Sequence, residues 1–178
     1  VYQSQVIEVC EYLTQLSGKP TRLLAFVPYS VRKEQKTIIS SKYSCSWVFP
    51  MFPAHLHWYI YLVPMLAMFL LFIPSKLIVC RGTIAGAIGL RLRKIGIVKK
   101  SVFDGRGAQS EEWKEYSVGG EQKIKGKIYS LEKKSVLNSD YRIGVSKMLV
   151  QYWRDEFGYN QKSQVVIPCT LSNSFLKE

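Results

Sequence analysis

HLHWYIYLVPMLAMFLLFIPSKLIVCRG (residues 55–82) is the stretch on which the reading of this chain turns. No Asp, Glu, Lys or Arg occurs from Tyr43 to Ser75, a run of 33 residues, and between Trp58 and Cys80 the only charge is Lys76. As one helix, residues 58–80 would extend roughly 35 Å at 1.5 Å per residue. That length crosses a hydrocarbon core of about 30 Å with some tilt. Trp58, Tyr59 and Tyr61 gather at one end, where an interfacial aromatic belt would lie. Lys76 sits near the other end, from which it can snorkel to headgroups. Apolar residues between Ile60 and Ile73 favour insertion by roughly 3 to 5 kcal/mol in sum. A helix packed in a globular layer shows one polar face, and this stretch shows none. Pro64 and Pro74 would kink the helix, and the freed carbonyls would call for neighbouring helices.

The expectation is therefore a mainly α membrane protein with one kinked transmembrane helix and small α/β or α soluble segments on both sides. Residues 1–43 form an N-terminal segment, 44–57 an aromatic, proline-broken interfacial approach, and 58–80 the span. Residues 81–100 form a basic juxtamembrane segment and 101–178 a C-terminal soluble segment.

Charge supplies the orientation. Of 25 Lys and Arg, seven fall between 76 and 100 with no acid among them, which places much of the net charge of +12 in one block. By the positive-inside tendency the C-terminal part faces the cytosolic or matrix-like side. Lys76, Arg81, Arg91, Arg93, Lys94, Lys99 and Lys100 are expected to meet anionic headgroups. The block lacks the interleaved aromatics of a nucleic-acid surface, with none between Phe72 and Phe103, so nucleic acid is not the expected partner. Within GTIAGAIGL (82–90), Gly82 and Gly86 form a G-x-x-x-G, and Ala85 with Gly89 repeats the small-residue spacing that lets helices approach closely.

Outside the span, residues 4–17 read as an amphipathic helix capped by Ser4 and stopped by Gly18 and Pro20. TRLLAFVPYSV (21–31) reads as a strand broken by Pro28. Residues 101–122 read as a glycine-rich connection holding a short helix in AQSEEWKEY. QKIKGKIYSLEKK (122–134) alternates and reads as a strand or hairpin arm. NSDYRIGVSKMLVQYWRDEFG (138–158) reads as a helix capped at Ser139 or Asp140 and ended by Gly158, and SQVVIPC (163–169) as a short apolar run.

Chemistry is sparse. His55 and His57 are the only histidines and the only candidate ligands for haem, pigment or copper; metal sites need further ligands, and none is matched to them. No metal site, cofactor or catalytic residue is assigned. Gly105 and Gly107 in DGRGAQS loosely resemble a phosphate loop, but no Lys-Ser/Thr follows and no strand is read before them. Glu111 and Glu112 read as solvated acids at a helix start. Cys10, Cys45, Cys80 and Cys169 are widely spaced and read as isolated reduced thiols.

These features point to a non-enzymatic accessory subunit that packs on larger membrane subunits, with structural lipids. Its expected setting is an organellar respiratory or ATP synthase complex in the mitochondrial inner membrane. Residues 1–20 carry no signal-peptide pattern. Two other readings remain: a haem- or pigment-bearing electron-transfer subunit, and a basic organellar RNA-associated or ribosomal protein.

Overall fold

Gly18 stops the first helix in a left-handed turn (φ 63°), as the sequence anticipates. In a computed structural model of the chain, residues 6–51, 58–115, 122–160 and 163–168 are described. They form an α/β fold with seven α-helices and two parallel sheets. Two compact units divide it at residue 58.

The first unit holds α1 (Glu8–Ser17), β1 (Leu23–Pro28), α2 (Arg32–Lys42) and β2 (Ser46–Met51). β1 and β2 pair in parallel, from Leu23 opposite Ser46 to Pro28 opposite Met51, with α2 as the crossover. Val27, Ile39 and Val48 form one small core between these elements. RKEQK and TIISSK join into a single helix because Ile39 can be buried on one side while the charges stay in water. The stretch read as an irregular interfacial approach contains strand β2. Pro50 is tolerated there because each strand of a two-stranded sheet has an open edge.

The second unit, Tyr59–Pro168, carries the stretch that decided the sequence reading. That stretch is divided into α3 (Trp58–Phe72) and β3 (Leu77–Arg81). Pro74 disfavours helix at Ile73 and offers no amide to continue one, and β-branched Ile78 and Val79 suit the strand that follows. α3 holds 15 residues, about 22 Å, well short of the hydrocarbon core. It buries Leu62, Val63, Leu66 and Leu70 along one stripe and exposes Met68, Leu71 and Phe72. No helix among the described residues is long and apolar enough to cross a membrane. The transmembrane helix at 58–80, the mainly α membrane class and the membrane localisation and orientation drawn from them are therefore corrected.

α4 (Thr83–Lys94), β4 (Lys100–Gly105), α5 (Gln109–Glu115), α6 (Gln122–Asn138), β5 (Tyr141–Gly144), α7 (Lys147–Phe157) and β6 (Gln164–Val166) complete the unit. The sheet order β3-β4-β5-β6 follows the chain, and every pair is parallel. Successive crossovers of one hand place their helices on one face. Phe103 of β4 confirms this locally. It meets the ring of Trp153 on α7 at 5.8 Å and lies 3.0 Å from the place a Cβ on Gly86 of α4 would take. The core beneath that layer is Phe103, Val136, Leu149, Val150, Trp153, Phe157 and Tyr159. Leu77, Val79, Tyr141 and Val165 are half exposed.

Three sequence expectations change here. KSVFDG is strand β4, with four consecutive buried residues after Ser101, not a loop. QKIKGKIYSLEKK opens α6; its Lys–Ile alternation coincides with a helical spacing that buries Ile128, Leu131, Glu132 and Ser135. The helix expected across 138–158 begins later, because YRIG forms β5 and Ser146 caps α7 by accepting from the Leu149 amide at 3.1 Å. Gly158 ends it at φ 70°.

Candidate functional site

β3 and β4 run in parallel and in register, so their last residues emerge side by side. Arg81 stands opposite Asp104. Gly82 (φ 80°) turns the chain at once into α4, and its amide donates to the Asp104 carbonyl at 3.0 Å. A side chain at 82 would be strained in this conformation. After β4, Arg106 and Gly107 lead into α5, whose first residue, Gln109, reaches back across the strand ends. Its Oε1 accepts from the Thr83 amide at 3.1 Å and so caps α4.

These turns enclose a cleft of about 150 Å³. Its walls are the Arg81–Gly82–Thr83 corner, the Gly105–Arg106–Gly107 corner, Phe103 below, and Gln109 and Glu112 from α5. The cleft lies beyond the carboxyl ends of parallel strands, the edge at which open α/β sheets bind ligands, although the order β3-β4-β5-β6 never reverses and offers no switch point. That volume is below the range of about 300–1,000 Å³ usual for a pocket that takes a whole small molecule. That suits one end of a ligand better than a whole drug-sized one.

One carboxylate organises the charge. Asp104, 3% exposed, accepts from Arg81 Nε at 2.9 Å and from Arg106 Nη2 at 3.0 Å through Oδ2, and Arg106 Nε lies 3.0 Å from Oδ1. The two arginine side chains are about a quarter exposed. Asp104 holds both guanidinium groups in place by geometry and not by side-chain wandering, and Glu112 adds a second carboxylate to the cleft wall. The amino end of α4 adds its partial positive charge, with the Thr83 amide already engaged by Gln109.

Behind the cleft, Glu132 of α6 fixes α5. Its Oε2 accepts from the Ser110 amide at 2.7 Å, and Ser110 Oγ shares a hydrogen bond with the Tyr152 hydroxyl at 3.0 Å. Burial pushes the Glu132 carboxyl above the usual range, while Ser110 and the Gln109 amide pull the other way. Burial likewise pushes the Tyr152 hydroxyl up to about 12.

The sequence candidates are scattered by this architecture. Arg81 and Gly82 line the cleft. Lys76 and Lys100 sit at the opposite, amino end of the strands, where the Lys99 and Lys100 amides donate to the Lys76 carbonyl. Arg91, Arg93 and Lys94 occupy the last turn of α4, where cations suit the helix dipole. Arg93 pairs with Asp140 at 2.6 Å. Gly86 and Gly89 let α4 lie close on Ser135 of α6 and on Cys80 of β3. Pro64 lies inside α3 and Pro74 beyond its end. His55 and His57 lie outside the described residues. Asp104, Arg106, Gln109 and Glu112 were not singled out for binding in the sequence. The signal was present in DGRG, whose reading as a phosphate loop failed for want of a following Lys-Ser/Thr and of a preceding strand; KSVFDG supplies the strand, and no Lys-Ser/Thr directly follows Gly107.

Fold and cleft together define a class: a parallel α/β unit with an arginine-lined crevice at its carboxyl edge. No known family, curated protein or solved structure matches the chain.

Proposed function

We propose that this protein binds a small molecule through an anionic group, phosphate or carboxylate, seated in the cleft between β3 and β4. The observation that carries the reading is the pairing of Arg81 and Arg106 on buried Asp104 at the rim of that cleft. Arginine presents planar, fixed donors that match the oxygens of phosphate and carboxylate. Asp104 orders both side chains before a ligand arrives, which lowers the entropic cost of binding. The accessory-subunit expectation drew on a membrane span, and α3 is too short to supply one; the cleft is the feature on which this reading rests instead.

Calorimetric titration with inorganic phosphate tests it. Saturable binding is expected for the unaltered protein, with a loss of about tenfold or more for Arg81→Ala, the cost of one charge-assisted hydrogen bond. Lys99→Ala with Lys100→Ala, at the far end of the sheet, should leave the affinity within about twofold, the scale of a screened distant charge. Equal losses for the two variants would mean that phosphate follows overall charge and not the cleft.

A further inference from the structure

Glu112 is out of place in a simple anion site. Its carboxylate faces the same cleft as the two arginines, and it lies against the bare backbone of Gly107, where an added Cβ would come within 2.1 Å of Oε1. No hydrogen bond or ion pair among the described residues engages it. A carboxylate beside a bound anion repels it, and in so small a space that repulsion would weaken any ligand made of the anionic group alone.

We infer that the ligand carries a hydroxyl next to its anionic group, with Glu112 accepting from that hydroxyl; the class is a phosphorylated polyol or sugar. This rests on the anion-site reading above. A ligand O–H placed between the anion and Glu112 converts repulsion into a charge-assisted hydrogen bond. Gln109 favours hydroxyl over ammonium. Its Oε1 already accepts from the Thr83 amide, while its two side-chain N–H donors make no hydrogen bond among the described residues, so a ligand acceptor is the partner it lacks. A hydroxyl can donate to Glu112 and accept from Gln109, whereas an ammonium has no lone pair to accept with.

The test compares methyl phosphate, which has no hydroxyl, with glycerol 3-phosphate and glucose 6-phosphate, by calorimetry on the intact chain. The hydroxylated esters should bind about tenfold tighter than methyl phosphate. Glu112→Gln should move the two kinds of ligand in opposite directions. The hydroxylated esters weaken by roughly fivefold, while methyl phosphate tightens as the repelling charge is removed. Gly107→Ala should do the same with Glu112 intact, since the added methyl displaces the far end of a flexible side chain and needs no backbone shift. Glu112 is exposed, so both variants should keep the unaltered melting curve. If all three esters bind alike and Glu112→Gln shifts them in one direction, the hydroxyl assignment is overturned and the anion site stands. If none binds, the hydroxyl assignment falls together with phosphate binding in the cleft.

Discussion

A Cβ on Gly86 would come within 2.6 Å of Ser135 Oγ, so α4 and α6 are in contact at a point where only glycine fits. The same added atom would meet the Ser135 Cβ and the Phe103 ring at 3.0 Å. Ser135 is fully buried and short, and neither it nor Phe103 can swing aside. Gly86→Ala should therefore destabilise by about 1–3 kcal/mol, the range for overpacking, despite a helix-propensity gain of up to about 1 kcal/mol. Ser135 Oγ has no hydrogen-bond partner among the described residues. Ser135→Ala alone should thus be neutral or slightly stabilising. Ser135→Gly should recover part of the Gly86→Ala loss, and urea denaturation of the four-variant cycle measures that coupling.

The sequence singled out Gly82, Gly86 and Gly89 for close helix packing in a membrane; here Gly86 lies on α6 and Gly89 on β3, while Gly82 serves the turn before α4. Periodicity found α1, and the glycines at 18 and 158 marked two helix ends, because those signals are local. The apolar run 58–80 misled because a short apolar helix and the apolar edge strand after it read as one continuous hydrophobic stretch, divided only by Pro74, Ser75 and Lys76. β4 hid behind glycine and charge: FDGRG has the composition of a turn, yet Asp104 is buried by two arginines that sequence spacing does not bring together. Arg81 comes from the neighbouring strand, 23 residues earlier, and only the register reveals it. The α6 alternation of Lys and Ile satisfied a strand template over a few residues but continued for a helix length, and length was the better guide.

Glu132 predicts a pH dependence. Its carboxyl is raised by burial above its ordinary 4.5. An acid raised in the folded state keeps its proton where the unfolded chain has lost it, so stability falls as pH rises from about 4.5 through the folded value and levels off above it. Asp140 acts in the opposite sense at lower pH. Partial burial works against its charge, but the Ser101 amide and Arg93 outweigh this and hold it below 3.8. Its contribution is present above that value and is lost as pH falls through the lower folded one. Urea midpoints from pH 4 to pH 8 should decline across the Glu132 window, and Glu132→Gln should flatten the decline. An unchanged slope in that variant would assign the effect to another group.

Cys80 should be inert in the native protein. Its thiol is 3% exposed and burial pushes it up to about 12, against an ordinary 9.0. That difference lowers the thiolate fraction about a thousandfold, before access is considered. Cys45 is only partly buried. Labelling with an aromatic disulfide reagent at pH 8, read by peptide mass mapping, should modify Cys45 within minutes and Cys80 only with denaturant. Gly89 enforces this, since a Cβ there would come within 2.3 Å of the Cys80 sulfur. Gly89→Ala should push α4 off β3 and make Cys80 reactive without denaturant.

Arg142 ties the carboxyl end of α6 to β5 and to the start of β6. The side chain is 1% exposed. Its Nε donates to the Val136 carbonyl, Nη2 to the Leu137 carbonyl at 2.9 Å, and Nη1 to Ser163 Oγ at 2.7 Å, while the guanidinium lies 5.0 Å from the centre of the Tyr159 ring. The two carbonyls are among those a helix end leaves without intrahelical partners, so arginine serves as a buried cap. Arg142→Ala should cost about 3–5 kcal/mol, since it leaves two helix-end carbonyls without a donor and opens a cavity where the side chain lay. Arg142→Lys tests geometry against charge. A lysine keeps the cation but cannot fork to Val136, Leu137 and Ser163 together, so at least about 2 kcal/mol should still be lost. Guanidinium denaturation of both variants gives the values. A lysine variant within about 0.5 kcal/mol of the unaltered protein would show that charge alone, and not the forked donor set, holds α6 to the sheet.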